Sequence, residues 1–287
     1  MTKYGGTERD TDTGNMAQAG AAQGDAAPQA SLALRVSGPV AHIVFNRPAA
    51  LNAIDIDMAA GFRDAVARVA ADPSIRVLML RGEGRAFMAG GDVAQMAADP
   101  VHNPDRIIGP LHQGLAQMAE LNIPVVAVLH GAVAGAGMSI ALAADLALAA
   151  DNAVFQMAYT RLGANPDASG SWHLPRVVGL RKAIELTLLS ESIDAQTALQ
   201  LGLVNWVVPV DELETRAGAL ATRLAEGAVR AFGRSKALLR AAALRSLPEQ
   251  LEAERQAFLE GAGGAEFREG TQAFLQKRRP DFPGAGS

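Results

Sequence analysis

Apolar residues fall in short runs divided by turn-forming residues, and between those runs their spacing changes to that of a helix. LALRVS (32–37) and VAHIVFN (40–46) are β-prone and flank Gly38-Pro39, which predicts a hairpin. From Asp57 to Ala71, the residues Met58, Phe62, Ala65, Val66 and Val69 share one helical face. IRVLMLR (75–81) follows as a buried strand, then the loop GEGRAFMAGGD, then a helix-prone stretch ending near Asn122. PVVAVLH (124–130) is another apolar run of strand length, again followed by glycines and a helix. This alternation predicts right-handed β-α-β crossovers and an α/β fold with a mainly parallel sheet. Beyond Trp172 the pattern is helical: Asp194 is placed as an N-cap and Gly202 as the stop of a short helix. Asp211 with Glu214 has capping-box spacing ahead of a Leu213, Ala217, Leu220, Leu224 stripe that stops at Gly227, and further helices run to about Arg279. Three regions are expected: a disordered tail over 1–30, a sheet-containing core over 31–200 and a helical region over 201–287.

Composition narrows the chemistry. The chain has 287 residues, enough to bury about three quarters of its unfolded surface, and 49% of them are hydrophobic against 20% charged. A net charge of -4 offers no field for a polyphosphate backbone, so nucleic-acid binding is not expected. With no cysteine there is no disulfide, thiolate metal site or cysteine nucleophile, in keeping with a cytoplasmic setting. The first thirty residues contain no apolar stretch resembling a signal-peptide core, and secretion is not expected. Residues 125–150 have the length of a membrane span, but Gly131, Gly135, Gly137 and Asp145 interrupt them and no cationic flank follows, which favours a buried strand, loop and helix.

His42, His102, His112, His130 and His173 show no HExxH or paired spacing, so no metal is expected. His112 and His130 suit ordinary polar contacts. Gly135-Ala136-Gly137 lacks the third glycine of a dinucleotide fingerprint, and GMSIA (137–141) matches a nucleophile elbow poorly because a glycine loop separates Ser139 from its strand. What remains is a pair of glycine-rich loops, AFMAGGDVAQM and HGAVAGAGMS, each following a buried strand and leading into a helix. Tight strand-to-helix turns account for the glycines. Alternatively, one free N–H from each loop could converge on a thioester carbonyl and stabilise its enolate.

Over residues 32–283 the chain resembles the enoyl-CoA hydratase/isomerase (crotonase) family, in IVFNRPAALNAI, both glycine loops, LGANPDASGSWHLPRVVG, ALQLGLVNWVVP and EGTQAFLQKRRPDF. The resemblance implies a crotonase-like spiral of β-β-α turns with a helical C-terminal trimerisation region, assembling as a homotrimer or a dimer of trimers. It implies an acyl-CoA substrate with coenzyme A as part of that substrate and no separate cofactor. Matching positions make Gly91 and Ala136 the oxyanion-hole N–H donors. Where hydratases of the family carry two glutamates, this chain has Ser139 and Tyr159, both candidates for the substrate pocket. The wording around Asp167 resembles the branch containing ring-epoxide phenylacetyl-CoA isomerases, in which an aspartate at this position is catalytic; a helix N-cap is the plainer role for it. The resemblance also makes Lys277 a candidate for CoA phosphate, puts NRPAALNAI near the adenine and leaves Asp92 structural. Asp145, which follows an apolar helix, suits a buried hydrogen-bonding role. The function expected is isomerisation of an acyl thioester by proton transfer through Asp167. Hydration, hydrolysis or dehalogenation with an ordered water is the alternative, and a noncatalytic acyl-CoA-binding protein is a third.

Overall fold

The computed structural model describes residues 30–286, so the tail expected over 1–30 lies outside the described residues except for Ala30. The hairpin forms as β1 (Leu32–Ser37) and β2 (Val40–Phe45), paired antiparallel across Gly38-Pro39. Helix α1 (Ile56–Ala71) starts at Asp55, whose carboxylate accepts the Met58 N–H, and buries the apolar face read from the sequence, including Met58, Phe62 and Val66. β3 (Val77–Gly82) follows, then the short helix α2 (Val93–Ala98) and the long α3 (Asn103–Glu120). α3 packs close against α1 at Gly114, where an added Cβ would sit 2.7 Å from the Phe62 ring.

β4 (Val125–Leu129) is wholly buried. A strand the pattern did not reveal, β5 (Ala132–Ala134), then separates it from α4 (Ala136–Ala143). β6 (Leu146–Ala150), β7 (Val154–Gln156), α5 (Gly170–Val178), α6 (Leu180–Leu189), β8 (Ile193–Asp194) and α7 (Ala195–Gln200) complete the run. Asp194 caps α7 through the Thr197 N–H, as its position predicted. β9 (Trp206–Val208) joins the main sheet, which therefore extends past the boundary expected near residue 200. That six-stranded sheet has the order β1-β2-β3-β4-β6-β9 and is parallel from β2 onward; β5, β7 and β8 form a smaller second sheet.

Both faces of the main sheet are covered, which is why β3 and β4 are continuous apolar runs. Leu78, Leu80, Val125 and Ala127 face the core shared with α1, α3 and α4. Val77, Met79, Val126 and Val128 face α8 (Leu213–Ala225). The capping box expected from Asp211 and Glu214 does not form. Residues Val210–Glu212 make a 3-10 turn ahead of α8, the Val210 N–H is taken by Asp151, and Glu214 instead pairs with Arg81 on β3. The helices α9 (Val229–Ala242), α10 (Leu247–Ala262) and α11 (Ala265–Leu275) follow, ahead of a final 3-10 turn over Gly284–Gly286.

α9 is tied to the sheet by one carboxylate. Asp145, between α4 and β6, accepts from the Val125 N–H at 2.8 Å, from Lys236 at 2.9 Å and from Arg240 at 2.7 Å. It is the hydrogen-bonding residue that the sequence placed there, half-buried rather than buried. Burial lowers the pKa of Lys236, against an opposing pull from Asp145.

Candidate active site

The two glycine loops lie side by side. Met88 of the first donates its N–H to Ala132 and accepts from the Ala134 N–H, so the loop runs along β5. On its other side the Gly90 carbonyl accepts from Ile54, and the Asp92 N–H bonds back to the Ile54 carbonyl. Gly90 (φ +116°) and Gly135 (φ +51°) adopt backbone conformations that L side chains avoid, and they meet where the loops touch. A Cβ on Gly90 would lie 3.5 Å from the Ala134 carbonyl oxygen and 3.9 Å from the Ala136 nitrogen. Among the described residues no hydrogen bond takes the N–H of Gly91 or of Ala136. Ala136 is the first residue of α4, where the helix dipole favours negative charge. Asp92 does the structural work expected of it, accepting from Gln95 at the start of α2 and from Arg47. The Gln95 N–H first, then Arg47, hold its carboxyl below the usual carboxylate range against the opposing effect of burial.

Asp167 lies on a cleft of about 550 Å³ formed between α3, the segment leading into α5, and α9. His112, Leu115, Ala116 and Ala119 line one side, Trp172 and His173 another, and Arg240 reaches it from α9. Asp167 is the only carboxylate among the lining residues. Its side chain caps no helix. α5 begins only at Gly170, with Ser169 before it in the left-handed conformation, and the Asp167 Oδ1 accepts instead from the Tyr159 hydroxyl at 2.5 Å. The backbone after it is strained: Ala168 (φ +47°) and Ser169 (φ +66°) are consecutive non-glycine residues in the left-handed region. His112 secures that turn through its Nε2, which accepts the Ala168 N–H at 3.1 Å.

Ser139, fully buried on α4, places its Oγ 3.0 Å from the Tyr159 oxygen. Burial, followed by the facing Asp167 charge, raises the Tyr159 phenol above its ordinary value, so it stays protonated. Its one proton goes to Asp167, and the Ser139 hydroxyl donates to the phenol oxygen. Neither Ser139 nor Tyr159, both candidate pocket residues, is among the residues lining the cleft. Lys277 is exposed, follows α11 with φ +55°, and likewise does not line it.

Trp172 and Arg240 line the cleft but were not singled out from the sequence, and His173, read there only as a histidine without metal-ligand spacing, lines it too. Trp172 stacks under the Arg176 guanidinium at 3.8 Å, a pairing for which the i, i+4 spacing within α5 was the available signal. Burial first, then Arg240 and Arg176, push the His173 imidazole down to about 4, so it is neutral at pH 7. No local signal ties Arg240 to residues so distant in sequence. A larger cavity of about 710 Å³, lined by Phe258, Phe267, Phe274 and Phe282, lies among α9, α10 and α11 and shares no residue with the Asp167 cleft. Among the described residues no group of His, Asp and Glu is arranged to hold a metal ion, and no helix is long and apolar enough to cross a membrane.

Known proteins are similar to this chain over most of its length. A probable enoyl-CoA hydratase of Rhodobacter capsulatus is 38% identical, the alignment covering 87% of this chain and 96% of that protein. The 1,2-epoxyphenylacetyl-CoA isomerase of Escherichia coli is 36% identical over 84% of this chain and 94% of its own length. In structure, a putative enoyl-CoA hydratase/isomerase of Mycobacterium abscessus superposes with a TM-score of 0.84 at 34% identity, covering 88% of this chain and 98% of that one. The crotonase-like α/β fold expected from the motifs is the fold observed. The family model described as enoyl-CoA hydratase/isomerase matches residues 35–285, and the chain belongs to that family.

Proposed function

We propose that this enzyme isomerises an acyl-CoA thioester by moving a proton within the bound substrate, with coenzyme A carried as part of the substrate and no further cofactor. For a 3-enoyl thioester the steps balance without water. The Asp167 carboxylate takes a proton from C2, and the electron pair moves into a dienolate whose charge rests on the thioester oxygen. The protonated acid then returns the proton to C4 as the double bond settles between C2 and C3. The N–H groups of Gly91 and Ala136 hold the enolate oxygen, and an α4 N-terminus favours that charge.

The observation that carries this reading is that Asp167 is the only carboxylate lining the cleft. Hydration needs one group to activate water and another to handle the α-proton, a task suited to two carboxylates. Isomerisation needs one group that gives back what it takes. The experiment is the purified Asp167→Asn variant assayed with 3-hexenoyl-CoA, following formation of the conjugated thioester by its ultraviolet absorbance. Loss of a general base costs about 10² to 10⁴ in rate, so turnover should fall by at least the lower figure. Undiminished turnover removes Asp167 from the mechanism, and labelled oxygen from water in the product makes the reaction a hydration if the label sits at C3 of the thioester and a hydrolysis if it sits in a released carboxylate.

Assembly as a trimer or dimer of trimers belongs to the same reading. It is supported by the apolar residues exposed on the C-terminal helices, Phe258 at 65%, Phe274 at 82% and Leu275 at 79%. Lys277, exposed beside them, supplies a cation for CoA phosphate.

A further inference from the structure

Asp167 lines the cleft and also meets a polar pair, one member buried and the other half-buried. The pair is Tyr159 and Ser139, linked at 3.0 Å, and the phenol donates to Asp167 Oδ1 at 2.5 Å, the short distance of a hydroxyl bonded to a charged oxygen. Neither member is among the residues that line the cleft. The aspartate backbone is fixed independently: the Gly170 N–H bonds to its carbonyl, and His112 holds the strained turn that follows. With the backbone set, the freedom left to the carboxylate is rotation about its own side-chain bonds, and the bond from Tyr159 opposes that rotation.

We propose that Tyr159 is the positioning residue of Asp167: its phenol commits Oδ1, leaving Oδ2 as the oxygen that takes and returns the proton, and Ser139 braces the phenol from behind. This rests on Asp167 being the acid-base group. The raised phenol supports it, since a phenol that stays protonated always donates. A carboxylate held at one oxygen presents a single proton carrier at a fixed place, so the proton removed from C2 sits on Oδ2 until C4 receives it. A carboxylate free to turn presents either oxygen and carries the proton away from the substrate, where it exchanges with solvent. Small misplacements of a reacting group cost about a hundredfold in rate.

The test compares the full-length protein with its Tyr159→Phe, Ser139→Ala and Asp167→Asn variants, using 3-hexenoyl-CoA in deuterated water. The readouts are kcat, KM and deuterium in the product. Tyr159→Phe should lower kcat about ten- to a hundredfold with KM within about twofold of wild type, and should raise deuterium uptake per turnover. Ser139→Ala should move kcat and deuterium uptake in the same directions by less. A residue that only packs would not change the ratio of exchange to turnover. If Tyr159→Phe does not fold, Ser139→Ala alone decides. The inference is overturned if the folded variants keep wild-type kcat and deuterium uptake while Asp167→Asn is inactive. An active Asp167→Asn overturns the proposed function, and this inference with it.

Discussion

Proline at position 136 would remove one backbone donor with little disturbance elsewhere. Ala136 opens α4, and the first helical position is where proline is tolerated, since its fixed φ of about −65° suits the helix and the N–H there has no intrahelical partner. In this protein that N–H makes no hydrogen bond among the described residues, so Ala136→Pro breaks none in the folded state. If the N–H stabilises an enolate oxygen, its loss costs about 2.7 to 4 kcal/mol in the transition state, a fall of about 10² to 10³ in kcat. The assay is steady-state turnover of 3-hexenoyl-CoA beside a thermal unfolding curve, with Ala136→Ser as the control that keeps the N–H. The expected pattern is a hundredfold or greater loss of kcat for proline, a melting temperature within a few degrees of wild type, and near-normal turnover for serine. A folded Ala136→Pro variant with wild-type kcat would refute the oxyanion role of this peptide.

Three further outcomes follow from the geometry. Asp145→Ala leaves Lys236 and Arg240 facing each other and the Val125 N–H without its acceptor, and should cost about 3 to 5 kcal/mol in denaturant unfolding; a loss below about 1 kcal/mol would show that the cluster contributes little. In a spectrophotometric pH titration, the phenolate signal that disappears in Tyr159→Phe should develop only above the ordinary tyrosine range near pH 10, and its appearance below that range would contradict the contact with Asp167. Because the folded-state value of His173 is lowered to about 4 from 6.5, the unfolded chain binds the extra proton in that window. Stability should therefore decline as pH falls from 7 toward 4, and His173→Gln should flatten the decline; identical slopes for the two proteins would rule the histidine out.

The sequence was most informative where one periodicity ran for several turns or where a turn residue stood alone. The α1 face, the Gly38-Pro39 hairpin and the Asp194 cap all formed as their patterns required. The short strands were hidden. β5 and β9 have three residues each, too few for alternation to register, and β6 is LALAA, whose alanines have no strand preference. Their pairing comes from the sheet that receives them. The Asp211-Glu214 spacing misled because Arg81, far away in sequence, offered Glu214 a partner. At the site, Asp167 and both glycine loops could be found from local wording. The contacts of Asp167 with Tyr159 and of Ala168 with His112, and the arrival of Arg240, join distant segments and depend on the completed fold.

The walls of the Asp167 cleft carry Ala116 and Ala119 from α3 and Ala143 from the end of α4. Each is a methyl group where a longer side chain would occupy space that an acyl group could use. On the proposed function the three act as a ruler: enlarging one would shorten the groove without replacing Asp167, its phenol or either glycine loop. Selectivity for chain length or ring size can thus drift by single substitutions that leave the chemistry alone.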